Sequence, residues 1–300
     1  MVSILGLLIL VSAQTGDTAE IFRIDSESEK LVNSSESTHI APFIKSESSD
    51  HWFRTEHPVV DEPLETDRDS FTFATSTVGR GRAMVETAYT FIENRNVPNT
   101  NSYPESITRI GITDRFELRL GWNYEAGGGG SVSTADAGGD EEAPGKKYES
   151  QVSYGFKLAL TKQNTWVPES AFIFQGYTPT SGRENASHVL AGYAFGWKLP
   201  NDWKLDSSIR YGNAVEEGDH FNEWAPSIVL KIPVAKQWNV HGEYFGIFSD
   251  GKATNTNVQY FSPGISYLIT PNCELGVRLG WGLDHDAAKF FNNEGLGVRF

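Results

Sequence analysis

The sequence predicts an all-β fold: a transmembrane antiparallel β-barrel of twelve strands, with a disordered acidic N-terminal arm before it. Three observations predict it. From Arg82 to Phe300 apolar and polar side chains alternate with a period of two, as in strands whose two faces meet different environments. The connections between these stretches alternate short and long, the habit of membrane barrels with tight inner turns and long outer loops. Tryptophans gather at strand ends, where two interfacial girdles need them.

Met1–Ala13 reads as a secretory signal peptide, with a short apolar run at Ile4–Val11 and the small-residue cleavage pattern Val11-Ser12-Ala13. Residues 14–64 read as a Ser-rich acidic linker without periodicity, disordered by composition. The net charge is −14, and about nine of those charges fall in residues 14–69. No basic stripe exists to displace counterions from phosphate, which argues against nucleic acid as a partner. Cys273 is the one cysteine, so no intramolecular disulfide forms. The 39% apolar content contains no run of the ~18 residues that a spanning helix needs.

Residues 65–81 are more ordered in character than the arm and too irregular for a lipid-facing strand, with Phe71 and Phe73 among small polar residues. Two places suit them, a plug inside the barrel or a rim beneath it. Glu65, Asp67 and Asp69 would find complementary bases inside, so a narrowing or gating role is expected of them.

The barrel proper is expected over 82–300. Its first strand carries Val85, Thr87, Tyr89 and Phe91 on one face and Glu86, Ala88 and Thr90 on the other. Arg109–Thr113 follows as a short strand, then Phe116–Tyr124 and Glu149–Leu160. Trp166–Tyr177, His188–Leu199, Trp203–Gly212, Glu223–Val234, Trp238–Ser249 and Val258–Ile269 continue the series. The closing hairpin is Glu274–Trp281 with Leu296–Phe300. Tight turns are expected at Thr113–Arg115, Thr161–Thr165, Pro200–Asp202, Ala235–Gln237 and Thr270–Asn272. Long loops are expected at Glu93–Pro104, Ala126–Lys147, Thr178–Asn185, Asn213–Asn222, Asp250–Thr256 and Asp284–Asn293. An even strand number puts both barrel termini on the periplasmic side. Trp166, Trp203, Trp238 and Trp197 flank short turns, and Trp122, Trp224 and Trp281 lie near long loops.

Leu296, Val298 and Phe300 share one face of the last strand, and the terminal aromatic residue looks like the C-terminal signal read by the barrel assembly machinery. That machinery, outer-membrane lipid and a small-molecule solute are the expected partners, in the bacterial outer membrane.

If apolar positions face lipid, polar ones face the lumen. The lumen-lining candidates are Glu86, Arg109, Glu117, Arg119, Lys157, Lys204, Asp206, Arg210, Lys231, Glu243, Glu274 and Arg278. They have two readings, a hydrophilic pore wall or an ion-pair network that neutralises charge in a confined space. Twelve strands at ~4.8 Å spacing and ~40° tilt give a backbone radius near ~12 Å, which suits a small-solute channel better than a wide sieve.

An outer-membrane barrel enzyme, of lipase or protease type, is the main alternative, and a structural tether the third. A lipase-type pair of Ser and His on one strand face would read His-x-Ser, and no His in the sequence has Ser two places on. Asp140, Glu141 and Glu142 read as a solvated loop rather than an acid pair. Asp284-His285-Asp286 is the nearest approach to metal-ligand spacing and is weak. No catalytic residue, metal ligand or cofactor is assigned, and the chain is read as a non-enzyme.

Four stretches carry a resemblance: Glu65-Thr66-Asp67-Arg68-Asp69-Ser70-Phe71-Thr72, Val85–Phe91, Gly111–Trp122 and, at the end, Gly297-Val298-Arg299-Phe300. From about Glu65 onward the chain resembles a family of outer-membrane transporters named for the MetA pathway of phenol degradation. The resemblance implies a barrel for passive passage of small solutes, aromatic or hydrophobic ones among them. Its motifs specify strands and turns rather than chemistry, so no functional residue is carried over. Arg68-Asp69 departs from it, since a proline is expected between the two.

Overall fold

The computed structural model describes residues 64–128, 147–182, 187–216, 219–251 and 257–300. The signal peptide and all of the acidic linker but its last residue lie outside these, as does most of the loop at 126–147.

The strands are β1 (Ala83–Glu93), β2 (Thr100–Gly111), β3 (Phe116–Gly127), β4 (Lys147–Thr161), β5 (Glu169–Ser181), β6 (His188–Lys198), β7 (Lys204–Glu216), β8 (Asp219–Ala235), β9 (Trp238–Asp250), β10 (Asn257–Thr270), β11 (Cys273–Gly282) and β12 (Phe290–Arg299). Each pairs antiparallel with its sequence neighbours, and β12 pairs with β1 to close the ring. Closure satisfies every edge, which a sheet surrounded by hydrocarbon requires. The last residue takes part: Phe300 N–H donates to the Ala83 carbonyl at 2.8 Å, and Ala83 N–H to the Phe300 carbonyl at 3.3 Å.

Period two sorts the side chains. In β3, Leu118, Leu120 and Trp122 face outward, while Glu117 and Arg119 between them are buried. The same sorting leaves Ile209, Ile228, Ile265, Val277 and Leu279 on the outside. Trp203, Trp238 and Trp281 are exposed at or beside strand ends, whereas Trp122 and Trp224 are exposed well inside β3 and β8. An apolar exterior on a closed barrel is the inverse of a soluble core, and lipid is the solvent that suits it.

Several boundaries differ from the sequence expectation. β2 begins at Thr100, so the last part of the loop expected over Glu93–Pro104 is strand. The ladder accommodates Pro104 at a bulge, where register shifts between Ser102 and Glu105. β7 and β8 extend into a hairpin through the expected loop Asn213–Asn222. β12 begins at Phe290, several residues before Leu296, because Phe290–Asn293 pair on both sides. Trp166 precedes β5 rather than opening it, in a turn where Trp197 Nε1 donates to its carbonyl.

The chain enters β1 through two glycines in the left-handed region, Gly79 (φ 82°) and Gly81 (φ 71°). Gly111 lets that turn pack: a Cβ there would lie 1.7 Å from the Gly79 carbonyl oxygen.

Leu120→Arg places a charge on the lipid face and is expected to cost about 2–4 kcal/mol near mid-membrane. Loss of the heat-modifiable folded band on gels checks it, with Asn96→Arg in the exposed β1–β2 loop as the unaffected control. Deleting Phe300 removes both backbone bonds to Ala83, and the expected outcome is normal export with reduced membrane insertion, measured by cell fractionation.

Candidate functional site

Residues 64–78 do not lie under the barrel. They cross its interior, and the inward side chains of the wall are fastened to them. In a ring of twelve, β3 and β9 stand opposite each other. Arg119 of β3 holds Asp67 (Nη1 to Oδ2, 2.6 Å), and Glu243 of β9 accepts from the Phe71 and Thr72 amides at 2.9 and 2.7 Å. Opposite strands β5 and β11 do the same: Glu169 accepts from the Thr75 hydroxyl, and Glu274 from the Thr66 hydroxyl at 2.9 Å.

Three groups of contacts make up the site. Around Asp67, Lys157 Nζ lies 2.9 Å and Arg109 Nη1 3.7 Å from Oδ2, besides Arg119. Arg109 is shared with Glu86 at 3.0 Å and Glu117 at 2.8 Å. Arg109, Lys157, Glu86 and Glu117 are all 0% exposed, so this is an ion-pair cluster out of contact with water. Burial pushes the Asp67 carboxyl up, but Arg109, Lys157 and Arg119 outweigh it and hold its pKa well below the usual aspartate range.

The second group gathers Lys204 and Lys231. Lys204 Nζ lies 2.6 Å from Glu65, 3.3 Å from Glu169 and 3.5 Å from Asp206. Lys231 Nζ lies 3.1 Å from Asp69. Burial raises the Glu65 carboxyl, yet Lys204 and Lys231 prevail and its pKa is lowered.

The third group is aromatic. The Arg210 guanidinium sits over the Phe71 ring at 3.8 Å and the Phe73 ring at 4.3 Å, and Arg210 donates to the Phe71 carbonyl. Arg278 Nη1 lies 3.3 Å from Glu243. Phe71 joins an inward apolar cluster of Ile92, Ala225, Phe245, Ile247, Val258, Tyr260, Ala287 and Phe291. Phe73 joins Ala171, Ile173, Tyr177, Leu190 and Ala194.

All twelve candidates from the sequence thus point inward, and each either touches the segment or pairs with a residue that does. Leu296 and Phe300 point outward. Sequence reasoning missed the inward apolar residues, because it sent every apolar position to the lipid. β9 shows why: Tyr244-Phe245-Gly246-Ile247-Phe248 is apolar on both faces, as in a strand buried on both sides. Carrying the parity forward from Glu243 would have turned Phe245 and Ile247 inward. Arg68, buried with Glu105 at 3.8 Å, was also missed.

Fold and wall together define an outer-membrane barrel whose lumen is spanned by its own N-terminal segment. Residues 66–300 match the family described as "Putative MetA-pathway of phenol degradation", and the chain belongs to that family. Among curated proteins none matches. Among solved structures, an outer-membrane channel from Pseudomonas putida F1 is similar in fold, with 14% identity, 79% of this chain and 100% of that chain covered, and a TM-score of 0.51. The KdgM porin is more distant, at 10% identity, 72% and 99% coverage and a TM-score of 0.44. The translocator domain of the autotransporter NalP from Neisseria meningitidis has 10% identity, 73% and 87% coverage and a TM-score of 0.44.

Asp67→Asn removes the anion from between three buried bases and is expected to destabilise the segment's seat by about 3–5 kcal/mol, read as a lower thermal midpoint of the refolded barrel. The depressed Asp67 pKa adds a sign. Its contribution is complete above the ordinary aspartate range near ~4 and is lost as pH falls through the lowered value. Acid titration of the wild type below about pH 4 should therefore show a loss of stability that Asp67→Asn lacks.

Proposed function

We propose that this outer-membrane barrel is a channel for passive passage of small solutes, aromatic or hydrophobic ones among them, and that residues 65–81 hold it closed at rest. The observation that carries the reading is the wall-to-wall path of the segment, tied to opposite strands β3 and β9. A barrel used only as a scaffold would not need a separate segment across its interior. The inward carboxylates Glu86, Glu117 and Glu243 are held in ion pairs with arginines, which supports a non-enzymatic reading over acid-pair hydrolysis. The family to which the chain belongs and the outer-membrane channel fold it resembles support the same conclusion. The outward terminal strand, with Leu296, Val298 and Phe300, supports recognition by the barrel assembly machinery.

Movement of the segment opens a path along Arg109, Arg119, Lys157, Lys204, Arg210 and Lys231, whose charge would then be hydrated. A chain beginning at Arg80 retains all twelve strands. In planar bilayers it is expected to insert and to conduct more than the full-length protein. The added current should be salt-sensitive, since newly exposed bases are screened over about 10 Å at ~0.1 M salt. Equal conductance of the two chains would show that the segment does not close the pore.

A further inference from the structure

Most of the lumenal segment is fastened by charge. At Phe71 the fastening changes character. The Phe71 ring stacks on Phe245 with centroids 4.2 Å apart and planes 9° apart, and the Arg210 guanidinium carbon lies 3.8 Å from the same centroid. Two groups so near one ring occupy its opposite faces. Around this slot the wall is apolar and aromatic: Phe245 lies 5.0 Å from Tyr260 and 6.1 Å from Phe291. Four bonds from the ring, the Phe71 carbonyl oxygen accepts from Arg210. Glu243, whose charge is met by Arg278 at 3.3 Å, takes the neighbouring amides.

What the wall recognises here is a flat ring, a two-carbon spacer and an oxygen facing a cation. Nothing in that set requires a peptide. The two faces of the slot, an aromatic ring and a guanidinium, select a π system over a saturated one. The cation selects a carboxylate over a neutral oxygen, because a charge-assisted hydrogen bond is the stronger one.

We propose that Phe71 occupies the barrel's own solute site as an internal stand-in, and that the site's ligand is a single-ring aryl carboxylate with a short spacer, of the shape of 3-phenylpropionate. This rests on the channel reading above and deepens it. The ring of such a solute lies between Phe245 and Arg210, and its carboxylate replaces the Phe71 carbonyl on Arg210. Solute and Phe71 exclude each other, so solute binding releases the segment from the β7–β9 wall and couples the presence of solute to opening.

An internal competitor makes a prediction of unusual sign: removing a residue that lines the site should tighten binding. The apparent dissociation constant equals the intrinsic one divided by the fraction of open sites. If Phe71 fills the slot nine-tenths of the time, Phe71→Ala tightens binding about tenfold. The test is calorimetric titration of refolded full-length protein in detergent with 3-phenylpropionate, alongside 3-cyclohexylpropionate as the saturated counterpart. Heat-modifiable migration reports that each variant is folded. The expected result is saturable binding of the aryl compound, about tenfold weaker binding of the saturated one, and tighter aryl binding in Phe71→Ala. Phe71→Leu serves where the alanine variant folds poorly and should also tighten binding, because leucine cannot stack. Folded variants that bind the aryl compound no more tightly than wild type, or no saturable binding in any of the three proteins, would overturn the proposal. Conductance separates it from the channel reading. Tighter binding without any current from the chain starting at Arg80 upholds the site and removes the channel. Current without tighter binding does the reverse.

Discussion

One buried carboxylate organises the interior. Asp67 stands among Arg109, Arg119 and Lys157 with essentially no exposure. Buried ions cost several kcal/mol each unless their partners are well placed. Arg109 and Lys157 project from neighbouring walls of the barrel into one another's field, and Glu86 and Glu117 satisfy only part of their charge. The anion that completes the set comes from the segment. The wall is therefore complementary to an occupied lumen, and this constraint fixes where the rest of the segment runs. With Asp67 seated, Glu65 reaches Lys204, Asp69 reaches Lys231, and Phe71 and Phe73 arrive at the two apolar clusters.

That arrangement bears on how such a barrel opens. Ion pairs of this kind resist removal of one partner far more than they add to stability as a pair, so the Asp67 cluster acts as an anchor. The contacts at Phe71 are a stacked ring and one carbonyl, which an aryl carboxylate is able to replace, and two amides on Glu243, which it would leave to water. The segment thus joins a charge-held part beside β3 and β4 to an apolar part beside β8 and β9. The two parts respond to different stimuli: the first to charge and acid, the second to a ring-bearing solute. Only the second offers selectivity by chemical shape, which a pore lined with long flexible bases lacks.

Much of the barrel was legible in the residues, because one-dimensional periodicity is a direct consequence of strand geometry. Glu117-Leu118-Arg119-Leu120-Gly121-Trp122 states its two faces without help from any neighbour. Strand number, the inward direction of Glu86, Arg109, Lys157 and Glu243, and the outward direction of Leu296 and Phe300 follow from that parity. It failed where the pattern weakens. Thr100–Pro104 has no run of alternating apolar residues and holds its place in β2 through its pairing with β1 and β3. Phe290–Asn293 likewise belongs to a strand because two neighbours supply its hydrogen bonds.

The alternation is written into the chain residue by residue, and with it a closed barrel with charge inside and apolar side chains in lipid. Folding adds that the charges meet a segment of the same chain rather than water, and that Phe245, Tyr260 and Phe291 turn inward to a ring. The physical reason is separation. Asp67 and Arg119 are 52 positions apart and Phe71 and Glu243 are 172 apart, and no local preference records which distant groups will share a site once twelve strands close around it.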